Sequence, residues 1–263
     1  MPASIGRHLR TSVSWLRKAM RFFKATVEYD GTDFSGFQFQ IGQRSVQLEI
    51  ETAIAKLTGQ DVRVNGAGRT DTGVHALGQV VNFACETRIP LERMGFALNS
   101  ALPHDVSVSA VEEVEERFHA RFSAKSRAYV YVILNRPLPS AIYRRYTMHC
   151  PEALDVEAMR LGAGYLLGTQ DFRAWANDTS EVATTTRHMI RCTVRPVKQF
   201  VLVQVEASAF LRGMVRNITG TLIQVGTGRR TPESIADITE SRSRNCAGPS
   251  APARGLCLVR VRY

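Results

Sequence analysis

The sequence has little of several features that mark membrane, secreted or metal-binding proteins. No stretch approaches the roughly 20 consecutive apolar residues of a membrane helix, and no apolar segment precedes a signal-peptide cleavage site. The five cysteines are scattered, without a C-x-x-C pair or a histidine at metal-ligand spacing. We therefore expect reduced thiols in the cytoplasm, no bound metal and no membrane contact.

Negative charge is also scarce. The 263 residues include 34 Lys and Arg against 24 Asp and Glu, which gives a formal net charge of +10. This excess predicts a polyanionic partner without distinguishing RNA from DNA. Residues 1–20 hold four basic residues and no acid, so the remainder still carries +6. We expect residues 1–20 to be an N-terminal extension. It is a disordered tail, a targeting peptide, or the result of a start codon placed upstream of the true one at Met20.

Strand and helix patterns alternate in the first half of the chain. "FFKATVEYDG" is typical of a strand, and a helix with an apolar stripe is expected from the N-cap Ser45 to Gly59. "DVRVNG" and "GQVVNFAC" predict short strands on either side of a glycine-rich turn. "LERMGFALNSAL" predicts a helix and "DVSVSAV" a half-buried strand.

The second half repeats this order of elements. "SRAYVYVIL" predicts a strand, "LDVEAMRLGAGYLLG" a helix, and "MIRCTVRPV" with "FVLVQVEA" a hairpin. "FLRGMVRNITGTLIQVG" predicts another helix and "CLVRVRY" a last strand. The expected class is α/β (α+β), with two pseudo-equivalent β-α-β-β-type lobes, ferredoxin- or RRM-like, at 21–121 and 122–263. Their sheets are expected to meet around a central active-site cleft.

The turn "GAGRTDTGVHALGQVVNF" places a carboxylate, Asp71, among glycines. Glycines permit backbone conformations closed to other residues, so they can hold Asp71 at a loop tip against a ligand. The four glycines are Gly66, Gly68, Gly73 and Gly78. A dinucleotide site is disfavoured because the third glycine of G-x-G-x-x-G is missing and the next element is a strand. The residues alone leave two interpretations: an active-site loop, or a plain turn in which Asp71 bonds its own backbone.

The same turn closely resembles the catalytic motif of the TruA family of tRNA pseudouridine synthases. Further segments resemble that family in the same order, from about residue 21 onward: "VEYDGTDFSGFQFQ", "RFHARFSAKSRAYVYVILN", "LLGTQDFRAW", "FLRGMVRNITGTLIQVG" and "APARGLCLVRVRY". The resemblance implies an isomerase that converts uridines 38, 39 and 40 of the tRNA anticodon stem-loop to pseudouridine. It further implies a homodimer that binds tRNA and needs neither metal nor cofactor.

The resemblance also implies roles for individual residues. Asp71 would be the essential aspartate that acts when the N-glycosidic bond breaks, and Arg216 would pair with it. Tyr129 would stack on the target base and handle the C5 proton. Arg69 would enter the RNA stem as the nucleotide flips out, and Leu258 would contact the substrate.

Several alternatives stay open at this point. Asp71 can attack C1′, add to C6 of the ring, or remove the 2′ proton, and the sequence does not choose among these routes. An RNA-binding protein without chemistry and a nucleotide-binding enzyme that uses the glycine loop are competing classes. The basic residues of 117–127 can follow phosphates or only solvate a strand. His75 is expected to shape the loop by a hydrogen bond, and Tyr131 to pack in the core.

Overall fold

Ten strands form one continuous mixed sheet in the computed structural model, which describes residues 20–180 and 182–263. The strands are β1 (Met20–Tyr29), β2 (Asn65–Gly66), β3 (His75–Glu86), β4 (Val106–Glu113), β5 (Ser126–Asn135), β6 (Met148–Cys150), β7 (Gly168–Asp171), β8 (Thr186–Val197), β9 (Phe200–Ala207) and β10 (Leu256–Arg262). Their order across the sheet is β4-β1-β3-β10-β5-β9-β8-β7, while β2 pairs with β3 and β6 with β5.

The helices pack in two groups. They are α1 (Val46–Thr58), α2 (Leu91–Ala101), α3 (Val156–Gly164), α4 (Met214–Gly226) and α5 (Ser234–Ser241). Helix α1 contacts α2, which lies on β4, whereas α3 contacts both β8 and α4. None of the helices in the described part of the chain is long and apolar enough to cross a membrane. The α+β class is confirmed, and the pseudo-equivalence of the two halves stays a prediction.

Local sequence signals account for the ends of α1. The Ser45 hydroxyl accepts a hydrogen bond from the Leu48 backbone N–H at 3.3 Å, which satisfies a donor left free at the helix start. Gly59 ends the helix in a left-handed conformation, with φ 73°. Ile50 and Ile54 are buried on the face that meets the core. The predicted helix is therefore confirmed from cap to cap.

Three predicted elements are shorter in the structure. Helix α3 ends at Gly164, so residues 165–168 of its predicted segment are not helical, and the other two elements are α4 and β2. Helix α4 begins at Met214 rather than at Phe210, because Gly213 adopts a left-handed φ of 74°. A Cβ at Gly213 would lie 2.3 Å from the side-chain amide nitrogen of Asn177, so only glycine fits in this turn before the helix. In "DVRVNG" only Asn65–Gly66 pairs with β3.

Strand β10 joins the two halves of the sheet. It runs antiparallel to β5, and it is parallel to β3 at only two positions, where Cys257 and Leu258 face His75 and Ala76. This short junction lies directly after the glycine-rich turn. The predicted lobe boundary between residues 121 and 122 falls between β4 and β5 and stays a prediction. Residues 1–19 of the predicted extension lie outside the described residues, and Met20 begins β1.

Candidate active site

The glycine-rich turn between β2 and β3 is a tight, hydrogen-bonded reversal. The Asp71 carbonyl accepts from the Val74 N–H at 3.1 Å, and Gly73 takes a left-handed φ of 77°. Of the four glycines expected to supply unusual backbone conformations, only Gly73 has a positive φ, so that expectation is wrong for the other three. At Gly66 the requirement for glycine is steric: a Cβ there would lie 2.5 Å from a carbon of the Phe37 ring. The backbone conformation of Gly66 does not itself require glycine.

A second loop clamps this turn. The Phe37 N–H donates to the Thr70 carbonyl at 3.1 Å, and the Thr70 hydroxyl lies 2.8 Å from the hydroxyl of buried Tyr29. Gly36 lies against the same turn with φ 96°, and a Cβ there would lie 2.8 Å from the Thr70 carbonyl oxygen. The backbone that carries Asp71 is therefore fixed by contacts on either side of Thr70.

We expect Gly36→Ala to destabilise the protein by about 2–4 kcal/mol, since a left-handed φ and a backbone clash add together. Gly42→Ala is the matched control: Gly42 has a positive φ of 73° in the same loop, but nothing lies within 4 Å of its Cβ position. We expect that control to cost about 1 kcal/mol, from conformation alone. Urea unfolding measures both, and equal costs would show that the contact with Thr70 is unimportant.

Asp71 forms an ion pair with Arg216 from the start of α4. Arg216 Nη1 lies 3.0 Å from Asp71 Oδ2, and the two side chains are 22% and 32% exposed. The pair joins residues 145 positions apart in sequence. The ion pair orients the carboxylate at a partly open site, and its partner is the arginine that the family resemblance implied.

Arg216 is itself held by the segment that leads into β10. Its Nε donates to the Ala251 carbonyl at 2.8 Å, and the Ala251 N–H donates back to the Arg216 carbonyl at 3.0 Å. The next residue, Asn217, is fully buried and donates to the Trp175 carbonyl at 2.8 Å. Arg244 donates to the Asn217 side-chain oxygen at 3.0 Å. These bonds fix the helix start, and with it the guanidinium that meets Asp71.

Tyr129 on β5 belongs to the same site. Its side chain is 8% exposed and makes an edge-to-face contact with Phe210, with ring centroids 5.1 Å apart. Burial raises the pKa of the Tyr129 hydroxyl, the charge of Arg127 opposes the shift, and the charge of Asp71 adds to it. Among the described residues, no group hydrogen-bonds the hydroxyl, which leaves it available to a ligand.

Tyr131 is fully buried, and its hydroxyl donates to the Pro252 carbonyl at 2.7 Å, so its predicted core role is confirmed.

Arg127 does not follow phosphates, contrary to one interpretation of the basic 117–127 segment. It is 8% exposed, and its guanidinium donates to the carbonyls of Ala67 at 2.9 Å and Ser208 at 2.9 Å. It also donates to the carbonyls of Arg121 and Ala124. Burial lowers the pKa of Arg127. The role of Arg127 is to hold Ala67, four residues before Asp71, and the sequence pattern gave no signal for it.

His75 shapes the loop, as predicted. The Gly31 N–H donates to His75 Nδ1 at 3.0 Å, and His75 Nε2 lies 3.0 Å and 3.2 Å from the carbonyl oxygens of Arg145 and Arg254. Because Nδ1 accepts a hydrogen bond, Nε2 carries the proton and donates. Asp30 Oδ1 lies 3.2 Å from Nδ1, an acidic neighbour that sequence spacing did not reveal. The imidazole thus ties the exit of the turn to three other segments.

Comparison with known proteins decides the family. The sequence model described as tRNA pseudouridine synthase matches residues 25–123 and 163–263. The chain is 43% identical over 244 residues to tRNA pseudouridine synthase A of Thermoanaerobacter sp. (strain X514), covering 93% of this chain and 100% of that protein. It is 45% identical over 242 residues to tRNA pseudouridine synthase A of Bacillus pumilus (strain SAFR-032), covering 91% and 98%. The chain belongs to the tRNA pseudouridine synthase family.

Similarity to solved structures is much weaker. A chain in the crystal structure of a Cbf5-Nop10-Gar1 complex aligns with 89% of this tRNA pseudouridine synthase family member and with 57% of its own length. The TM-score is 0.33 and the sequence identity 13%, and at that level neither fold nor function follows from the alignment. The family assignment therefore depends on sequence.

The structure of this pseudouridine synthase family member brings three of the five predicted site residues together: Asp71, Arg216 and Tyr129. Arg69 lies in the same turn, two residues before Asp71, and is exposed. Leu258 is fully buried on β10, where it pairs in register with Tyr129 of β5 and Ala76 of β3. It therefore lies beside Tyr129 on the same face of the sheet, with its side chain closed to solvent.

Proposed function

We propose that this chain isomerises uridine to pseudouridine at positions 38, 39 and 40 of the tRNA anticodon stem-loop. The observation that carries the proposal is the paired carboxylate: Asp71, at the tip of the family's turn, is held by Arg216 next to Tyr129. The reaction breaks the bond between N1 and C1′ and forms a bond between C5 and C1′. The base loses a proton from C5 and gains one at N1, so no redox partner is required.

Asp71 is the group that acts on the ribose or on the ring. The guanidinium of Arg216 stabilises the carboxylate and aims it, whichever of the three routes operates: attack on C1′, addition to C6, or removal of the 2′ proton. Both side chains are partly exposed, so the carboxylate is open to a flipped nucleotide. Fixed orientation is the contribution of the protein to this step.

Tyr129 stacks on the target base and handles the C5 proton. Because burial raises the pKa of its hydroxyl, the phenol is neutral at pH 7 and serves as a proton relay rather than as a phenolate base. The edge-to-face contact with Phe210 fixes the orientation of the ring that stacks on the base. Arg69 fills the gap that the flipped nucleotide leaves in the stem.

Leu258 has a supporting role in this proposal. Its side chain is fully buried, so in this proposal Leu258 acts on the substrate through its packing beside Tyr129 and not by direct contact with RNA. The strand pairing between Leu258 and Tyr129 keeps the ring at a fixed height above the sheet.

The remaining proposals concern the state of the protein. We propose a homodimer with two lobes per chain, 21–121 and 122–263, that acts in the cytoplasm without metal or cofactor. The excess of basic over acidic residues supports tRNA binding, since affinity for RNA comes largely from neutralised phosphates. Analytical ultracentrifugation tests the dimer, which is expected to sediment at twice the mass of the chain at micromolar concentration; a monomer at that concentration would contradict it.

Tritium release tests the activity directly. Unmodified tRNA transcripts labelled with tritium at uridine C5 are incubated with the purified protein in the presence of EDTA. We expect tritium release that is confined to transcripts with uridine at positions 38 to 40. Transcripts in which these uridines are replaced by cytidine are the matched control, and equal release from them would contradict the proposed positions.

The two competing classes predict different results in that assay. A protein that binds RNA without chemistry would bind the transcripts tightly and release no tritium. A nucleotide-binding enzyme would be stabilised against heat by a nucleotide alone. Neither class accounts for a carboxylate paired with Arg216 near a tyrosine hydroxyl that no described residue hydrogen-bonds.

A further inference from the structure

A basic depression adjoins the glycine-rich turn. It has a volume of about 680 Å³, and Gly73 of the turn forms part of its wall. Three arginines and a histidine line it: Arg144, Arg145, His149 and Arg254. Three of them come from the segment between β5 and β6 and from β6, and the fourth precedes β10, so separate parts of the chain converge on one positively charged site.

Arg144 and Arg254 keep most of their donors available. Arg144 donates from Nη1 to the Ala141 carbonyl at 2.8 Å, and Arg254 donates from Nε to the Thr147 carbonyl at 3.2 Å. Neither forms an ion pair with a carboxylate of residues 20–180 or 182–263. Both side chains are exposed. The hydrogen bond to a backbone carbonyl orients each guanidinium and uses only one of its five N–H donors.

Two carboxylates near the depression, Asp30 and Asp33, lie close to Arg145. Arg145 Nη1 lies 3.9 Å from both Asp30 Oδ2 and Asp33 Oδ2. Asp30 is already bonded by Thr32 and by the Tyr146 hydroxyl at 2.8 Å, and these bonds outweigh burial, so its pKa lies below the ordinary value. Asp30 and Asp33 thus offset Arg145 in part and leave the charges of the other two arginines uncompensated.

The depression is coupled by short contacts to the group that holds Asp71. The Cβ of Ala253 lies 3.4 Å from the position of a Cβ at Gly73, two residues from Asp71. Ala251, in the same segment, accepts the Arg216 Nε bond, and Arg254 follows three residues later. Three residues span at most about 10 Å, so the basic depression and the partner of Asp71 lie within the length of a few nucleotides.

We propose that this depression binds a phosphate of the RNA strand that carries the target uridine. The inference rests on the proposed function for the identity of the RNA. A guanidinium presents its donors in a planar fork that matches phosphate oxygens, and two such groups from different segments define one position for the anion. Phosphate contacts fix the register of a nucleic acid on a protein, so this one sets which nucleotide reaches Asp71.

The test is the salt dependence of tRNA binding by the full chain. Arg144→Gln is expected to weaken binding of an unmodified tRNA transcript about tenfold, and to reduce the slope of log affinity against log salt by about 0.7–0.9. Arg254→Gln is a second variant with the same expectation. Arg144→Lys keeps the charge and is expected to keep the slope. Melting temperatures are measured for each variant, since both arginines are exposed and are expected to leave stability unchanged.

Arg88→Gln is the matched control. Arg88 is exposed and follows the far end of β3, a strand of 12 residues, so it lies roughly 40 Å from the turn. Parental affinity and slope for Arg144→Gln and Arg254→Gln would overturn the proposal, as would equal losses in Arg88→Gln. If the unaltered protein releases tritium but the salt slopes of Arg144→Gln and Arg254→Gln equal the parental slope, the phosphate site is refuted and the proposed function is kept. A slope change without any tritium release would instead refute the proposed function and support the site.

Discussion

Asp71→Asn is expected to abolish tritium release, with turnover reduced by at least about four orders of magnitude, while tRNA binding is kept. The amide has the shape of the carboxylate but neither its charge nor its nucleophilicity, so each of the three proposed routes loses its reacting group. Arg216 can still donate to the amide oxygen of the variant. Because the pair is partly exposed, we expect its loss to cost less than about 1 kcal/mol of stability.

Asp61→Asn is the control for this substitution. Asp61 is exposed in the segment between α1 and β2, and the same change in charge there is expected to leave turnover at the parental level. Single-turnover tritium release measures the chemistry, and filter binding measures the affinity for tRNA. Substantial release by Asp71→Asn would show that the carboxylate is a structural part of the turn, which was the alternative interpretation of the glycine-rich segment.

Tyr129→Phe is expected to reduce tritium release by about 10²–10⁴-fold, the range for loss of a general acid or base. The ring and its edge-to-face contact with Phe210 remain, so we expect stacking on the base and affinity for tRNA to be preserved. Since no described group bonds the Tyr129 hydroxyl, its removal leaves no partner unsatisfied. The effect is therefore expected in turnover and not in the melting temperature.

Tyr131→Phe is the matched control because Tyr131 lies two residues further along the same strand face. Its hydroxyl donates to the Pro252 carbonyl, so the control is expected to lose about 1 kcal/mol of stability and little turnover. The two variants should thus differ: Tyr129→Phe lowers the turnover and Tyr131→Phe lowers the stability. Equal loss of turnover in both would assign the C5 proton to a different group.

The elements that could be predicted from sequence are those set by nearby residues. Helix α1 is delimited by the Ser45 cap and the left-handed Gly59, and the β8–β9 hairpin turns at Lys198 and Gln199 as expected. Both patterns involve a few neighbouring residues, whose conformations depend little on the rest of the chain. The sequence pattern misplaces the start of α4 because Gly213 turns with a left-handed φ beside Asn177, a neighbour that is distant in sequence and leaves no local signal.

The site was predictable only in part. Family resemblance assigns Asp71, Arg216 and Tyr129 to the site, whereas periodicity alone leaves a catalytic turn and a plain turn equally open. Arg127 looked like a surface residue of a basic segment, yet it is buried because four carbonyls from separate places converge on it. The position of β10 between β3 and β5 also left no local signal, since strand order depends on pairing between residues far apart.

The place of β10 in the sheet also has a consequence for biosynthesis. A ribosome makes β10 after every other described strand, and its partner His75 precedes Cys257 by most of the length of the chain. At 5–20 residues per second, roughly ten to forty seconds pass between the two. Until β10 is made, the edges of β3 and β5 to which it pairs lack that partner, and an unpaired strand edge is a hazard for misassociation. The nascent chain also lacks the segment that holds Arg216, so the bonds between Arg216 and Ala251 form only once this region has been made.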